Sequence, residues 1–232
     1  MARKKIVFII VEGPSDEEAL GVLFSKYFEN EEVHVEIMHC DITCKKGVNS
    51  SNILKEVTNV IKQYSDRNHF KQIHFKQIIH IVDTDGAFCS KEDIEEKVGI
   101  KNFEYSQEKI LAGNKEAVLI RNKQKSDNLI KISRTNLIWN IPYSVHYMSC
   151  NLEHVLFNKL NCSDEEKETL SYQFALKYKD NIKGFINFIS NSSFSVKSDY
   201  LTSWKFIETD NNSLKRFSNL SLCFKKEIDK NK

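Results

Sequence analysis

Two apolar runs that each end in acid constrain this chain more than any other feature. Ile6-Val7-Phe8-Ile9-Ile10-Val11 leads into Glu12-Gly13-Pro14-Ser15-Asp16-Glu17-Glu18, and Ile78-Ile79-His80-Ile81-Val82 leads into Asp83-Thr84-Asp85-Gly86. A short apolar run without alternation reads as a strand buried on both faces. Strands of that kind belong to parallel sheets covered by helices, and such sheets bind their ligands at the carboxyl ends of the strands. Acids placed at those ends are therefore candidates for chemistry.

The segments around the two runs complete a β-α-β-α-β pattern. Residues 6–11 form the first expected strand. A helix over about 16–29 carries Ala19, Leu20, Leu23, Phe24 and Tyr27 at helical spacing, with Ser15 and Glu18 as its capping box. Val33 to Met38 alternates as a second strand. Ile53, Val57, Val60, Ile61 and Tyr64 share one face of a helix over about 51–64, and residues 78–82 are the third strand. Between them His69-Phe70-Lys71-Gln72-Ile73 is repeated at once as His74-Phe75-Lys76-Gln77-Ile78. That period is too short for a solenoid, so the repeat reads as a local duplication lengthening a loop or a strand.

Beyond Gly86 the expected elements are a short helix at 91–98, a strand at 117–120, a helix over 126–139 and a fourth strand at 143–148. Helices then follow at 151–160, 164–178, 180–190 and 212–229. The fold class expected is α/β: a Rossmann-like, mostly parallel sheet of about four strands flanked by helices. Residues 1–160 form the expected catalytic unit, and 161–232 a helical extension packed on it.

Composition excludes several alternatives. Seven Gly and two Pro are too few for a turn-rich sandwich or for disordered linkers. A net charge of +2 supplies no global field for nucleic acid, so any such binding needs a local patch. The six cysteines contain no CxxC pair, and their pattern fits reduced thiols in a cytoplasmic protein. Arg3-Lys4-Lys5 before an apolar run has the outline of a signal peptide, but the run is short and stops at Glu12. No stretch approaches the roughly 20 apolar residues of a membrane span.

Each acidic motif has an ordinary explanation. Asp-Gly is common in tight turns, and Ser15, Asp16, Glu17 and Glu18 suit the first turn of a helix. Together they say more. If the first and third strands are neighbours, Glu12, Asp83 and Asp85 converge, and like charges at close range raise one another's pKa. Mg²⁺ or Mn²⁺ relieves that crowding, because hard cations take carboxylate oxygens and water. Such an ion can polarise a phosphoryl oxygen or activate water.

A strand ending in Glu-Gly, a helix, and a later strand ending in Asp-x-Asp-Gly resemble the Toprim domain of primases, topoisomerases, maturase ribonucleases and OLD-type nucleases. Val11-Glu12-Gly13-Pro14-Ser15-Asp16-Glu17 is most similar to the OLD-type branch. Tyr147-Met148-Ser149-Cys150-Asn151-Leu152-Glu153-His154-Val155-Leu156 resembles a strand-and-helix element of RloB-like proteins, matched only in part at Asn151-Leu152. The resemblance spans residues 5–160. It implies a Mg²⁺- or Mn²⁺-dependent nuclease acting on DNA or RNA, with a role in phage defence beside a separate ATPase. This chain lacks the phosphate-binding Gly-x-x-x-x-Gly-Lys loop of such an ATPase. It implies that Glu12, Asp83 and Asp85 are catalytic, that the same three bind metal with Asp16 and Glu153, and that a late basic residue, Lys177 or Lys179, faces the scissile phosphate.

Other constellations are weaker. Arg121, Lys123 and Lys125 form a basic run that could hold phosphates, although a solvated surface is the commoner fate of such runs. Trp139, Tyr143, Tyr147, Trp204 and Phe206 could stack bases but are more often core. His34, His39, Cys40 and Cys44 match no common zinc spacing. Cys150 lacks a nucleophile's partners, and His80 reads as a hydrogen-bonded core residue. Two further functions stay open: a non-catalytic Toprim-like module that binds nucleic acid or a partner, and a haloacid-dehalogenase-type phosphatase with Asp83 as nucleophile. The second leaves Glu12-Gly13 unexplained.

Overall fold

The structure, a computed structural model, describes residues 4–29, 31 and 33–224. Its centre is β1 (Lys5–Val11), in which every residue from Ile6 to Val11 is buried. A fully buried aliphatic or Phe side chain contributes about 1.5–3 kcal/mol, so this run anchors the sheet. Successive side chains point to opposite faces. Ile6, Phe8 and Ile10 therefore join one core, and Val7, Ile9 and Val11 the other.

α1 (Pro14–Tyr27) and β2 (Val33–His39) follow, then α2 (Ile53–Arg67) and β3 (Phe75–Asp83). A small sheet comes next, built from β4 (Ile94–Glu96), β5 (Glu104–Tyr105) and β6 (Ile110–Ala112) in the order β4-β6-β5. α3 (Lys115–Ser133), β7 (Leu137–Ile138) and β8 (Ile141–Met148) return the chain to the main sheet. α4 (Leu152–Phe157), α5 (Asp164–Tyr178), α6 (Ile182–Asn191) and α7 (Tyr200–Ile207) complete it. The main sheet has five strands in the order β2-β1-β3-β8-β7, parallel except for the β7 edge. Helices cover both faces. Residues of α2, α3 and α7 pack on one, and residues of α1, α4, α5 and α6 on the other. The C-terminal elements share that core, since Phe185, Ile189 and Phe224 cluster with Val7, Ile9 and Phe24.

The α/β class and the parallel sheet agree with the sequence reading; several elements do not. The main sheet has a fifth strand, because Trp139 and Asn140, both at positive φ (50° and 53°), turn β7 back onto β8 as a tight hairpin. The expected strand at 117–120 lies inside α3, where Val118 is fully buried and Ile120 is 62% exposed. α3 ends at Ser133, short of the expected 139. Residues 91–98 give a 3-10 turn and β4 rather than a helix. No helix spans 212–224; α7 lies earlier, Leu220–Phe224 is a 3-10 turn, and the rest of that expected helix is outside the described residues. Among the described residues no helix is long and apolar enough to cross a membrane.

The duplicated pentapeptide shows context overriding local sequence. Phe75 and Ile78 of the second copy are buried in β3, whereas Gln72 and Ile73 of the first enter a 3-10 turn and Ile73 is 72% exposed. Both phenylalanines nevertheless pack against Tyr64, at ring separations of 5.8 and 6.3 Å.

Candidate active site

Adjacent parallel strands place the two acidic motifs at one end of the sheet. β1 pairs with β3 in the register Ile10↔His80, so Glu12 and Asp83 leave the sheet side by side. α1 starts at Pro14 with Gly13 as its cap, two residues earlier than the Ser15–Glu18 box predicts. The Gly13 N–H donates to Asp16 Oδ2 at 2.9 Å, which turns the Asp16 carboxylate back toward the strand end.

The loop after β3 is fixed from below. The buried Thr84 hydroxyl donates to the Ser213 carbonyl and accepts from the Cys150 N–H, both at 2.8 Å. Asp85 N–H donates to the Cys150 carbonyl at 2.8 Å, and Asp85 sits at φ 48°. Gly86 follows at φ 65°, where a Cβ would stand 2.4 Å from a Leu214 methyl, so only glycine fits. After β8, Asn151 caps α4 by accepting from the His154 N–H at 2.9 Å, which holds Glu153 buried at the same end.

α3 closes the site from the side. Its inward stripe is Arg121, Asn122, Lys125 and Asn128. Lys125 Nζ donates to both oxygens of Glu12, at 3.3 and 3.2 Å, and to Asp85 Oδ2; its side chain is 0% exposed. Asn122 donates to the Gly86 carbonyl at 3.2 Å and Asn128 to the Thr43 carbonyl at 2.8 Å, so both flanking turns of the helix are tied to site loops. The Thr43 hydroxyl lies 3.0 Å from Glu12 Oε1. Arg121 stacks over Phe103 with its guanidinium 4.9 Å from the ring centre, donates to the Tyr105 hydroxyl at 3.1 Å, and stands 3.8 Å from Asp85.

The five acids have divergent electrostatics. Burial pushes Glu12 up to about 8, although Lys125 pulls against it. Burial and the charges of Asp16, Glu12, Asp85 and Glu153 hold Asp83 well above the carboxylate range. Burial raises Asp16 to about 6 against the pull of the Gly13 N–H, and burial also raises Glu153. Asp85 alone goes down: burial opposes this, but Lys125 and Arg121 outweigh it. Burial disfavours the charge on Lys125, yet Asp85 and Glu12 more than compensate and keep it an ammonium.

Among the described residues no Lys or Arg is within ion-pair distance of Asp16, Asp83 or Glu153; Lys167 reaches Asp16 and Glu153 only through its field. Nor, among them, do three His, Cys, Asp or Glu side chains already stand around one ligating point. The donor chemistry nonetheless suits a hard divalent ion, because Asp16, Asp83 and Glu153 offer only carboxylate oxygens without a paired cation.

The expected basic residues separate. Lys125 is not a surface residue but the cation among the acids, and Arg121 borders them. Lys123 is exposed and bonds Asp127 at 2.6 Å. Lys177 is exposed at the end of α5, 4.9 Å from the Tyr178 ring centre. His80 is a core residue, its Nδ1 2.8 Å from the Tyr143 hydroxyl. A cavity of about 840 Å³ opens at the start of α1 against α5, but Glu18, Asp164 and Glu168 line it. Those charges repel a bare phosphate chain. No family model, curated protein or solved structure matches the chain.

Proposed function

We propose that this chain is a metal-dependent phosphodiesterase of the Toprim type that cleaves DNA or RNA. The observation that carries it is the convergence of Glu12, Asp83 and Asp85 at the carboxyl ends of adjacent parallel strands, with Asp16 and Glu153 delivered to the same end by two helix starts. Asp16, Asp83 and Glu153 are the residues that would hold Mg²⁺ or Mn²⁺. When bound, the ion supplies Lewis-acid polarisation of a phosphoryl group and offsets the negative charge gathered there. Glu12, with a carboxyl near 8, exchanges a proton close to neutral pH and suits general acid–base work. Lys125 stays protonated and is therefore a fixed charge rather than a base. Arg121 is the group best placed to meet a phosphate entering beside Asp85. The role in phage defence and the separate ATPase rest on the resemblance alone.

Lys125 also favours a second reading, since it already neutralises part of the cluster: a non-catalytic module that binds nucleic acid or a partner. The phosphatase reading is disfavoured, because it gives no role to Glu12 and Gly13, which stand beside Asp83 at the strand ends. Mg²⁺- and Mn²⁺-dependent cleavage of single-stranded DNA, duplex DNA and tRNA is the test. Cleavage by the wild type that is lost in Asp83→Ala and Glu12→Gln supports the nuclease. Metal binding without cleavage of any of these substrates favours the module.

A further inference from the structure

Lys125 differs from a mobile surface lysine in three respects. It leaves the middle of a helix of 19 residues. Asn122 and Asn128, one turn before and one turn after it, bind the loops that carry Gly86 and Thr43. Its ammonium contacts both oxygens of Glu12 and one of Asp85, with no exposure to solvent. Those are the oxygens a hard cation placed between the ends of β1 and β3 would take.

Two cations cannot share those oxygens. The ammonium fills its position with directed donors, and its two carboxylate partners are already engaged. A divalent ion entering there would meet a buried positive charge at contact distance, a repulsion that the low polarity of the surroundings strengthens. Among the described residues, the remaining acids, Asp16, Asp83 and Glu153, have no such occupant. Two-ion phosphodiesterases clamp the attacking and leaving oxygens with a pair of ions; here one of those two positive charges belongs to the chain.

We infer that Lys125 stands in place of a second divalent ion, so that the centre takes a single Mg²⁺ or Mn²⁺ on the side of Asp16, Asp83 and Glu153. The inference rests on the metal-binding part of the proposed function and is independent of which substrate is cut.

The test counts ions rather than turnover. Mn²⁺ is titrated into the full chain, with free Mn²⁺ followed by electron paramagnetic resonance and heat by calorimetry. The variants are Asp83→Asn, Lys125→Met, Lys125→Arg and the double variant Glu12→Gln/Lys125→Met, with Lys131→Met as a control for charge on the same helix. One ion per wild-type chain is expected, lost in Asp83→Asn and retained in Lys125→Arg and Lys131→Met. Lys125→Met is expected to take a second ion, with the broadened spectrum of a coupled Mn²⁺ pair. Should Lys125→Met fail to fold, the double variant removes both charges and is expected to keep one ion with wild-type affinity. Two ions in the wild type would overturn the inference and leave the nuclease reading intact. An unchanged count in folded Lys125→Met, or loss of the ion from the double variant, would also overturn it. One ion without cleavage would support the inference while sinking the nuclease. No ion at all would end both.

Discussion

The two sides of the carboxylate cluster are built from the same residue types and differ in whether a cation of the chain is paired with them. On the α3 side, Glu12 and Asp85 share a buried ammonium; Asp85 lies below the ordinary carboxylate range, while burial still raises Glu12. On the α1 and α4 side, Asp16, Asp83 and Glu153 have no paired cation among the described residues, only the field of a distant Lys167 on Asp16 and Glu153, and all three are raised. Strand ends gather acids; what separates the sides is whether the chain supplies its own cation. A side that supplies one is finished on folding, while the other keeps an unmet demand for positive charge.

The sharpest way to break the comparison is to remove the built-in cation. Lys125→Met is expected to cost about 3–5 kcal/mol, because it strands two carboxylates in a buried setting. Adding Glu12→Gln should recover part of that loss, and urea denaturation of the two variants measures both. Adding an external cation to the other side comes next. At a hundredfold excess of Mg²⁺ over its dissociation constant, linkage predicts about 2.7 kcal/mol of stabilisation. The gain should vanish in Asp83→Asn, as read by thermal melting.

Proton linkage separates Asp85 from the other four acids by sign. A raised carboxyl keeps its proton in the folded state to higher pH than in the unfolded chain. Its contribution is therefore complete at low pH and is lost as pH rises from the ordinary value to the folded one. For Asp16 that window runs from 3.8 to about 6, and for Glu12 from 4.5 to about 8. Asp85 acts the other way, contributing above its ordinary value and losing that contribution as pH falls. Metal-free melting curves across pH 4–8 should accordingly decline less steeply in Asp83→Asn than in the wild type, and the loss of stability below pH 4 should be shallower in Asp85→Asn. The smallest effect is expected at Lys177→Ala: a change within about 0.5 kcal/mol, typical of an exposed position, and unaltered cleavage. A large loss of cleavage there would place the catalytic cation on α5 and dissolve the contrast.

How much of this was legible in the sequence depends on which force decided each element. β1 and β3 were, since burial on both faces leaves a continuous apolar run that few other structures explain. The acids at their ends were legible for the same reason, because a charge terminating such a run needs a purpose. α3 was not. Its segment Ala117-Val118-Leu119-Ile120 has strand-like composition, and Arg121 to Lys125 reads as a solvated face. The helix turns Asn122, Lys125 and Asn128 inward, where the usual pattern demands apolar residues. The available signal was Asn114, which accepts from the Ala117 N–H at 3.0 Å and so marks a helix start. The small sheet escaped notice because β4, β5 and β6 are two or three residues long and lie among charges.

The repeated His-Phe-Lys-Gln-Ile segment also bears on how the molecule reaches its structure. Phe70 to Ile73 and Phe75 to Ile78 present β1 with the same side chains in the same order. During folding either copy can start zipping against β1, and only the second continues without a break into Ile79 to Asp83. An early alignment through the first copy leaves five residues of slack to be expelled before Asp83 reaches the strand end beside Glu12. The duplication is thus expected to offer a competing register, and deleting one copy should speed refolding, as stopped-flow would read it, more than it changes equilibrium stability.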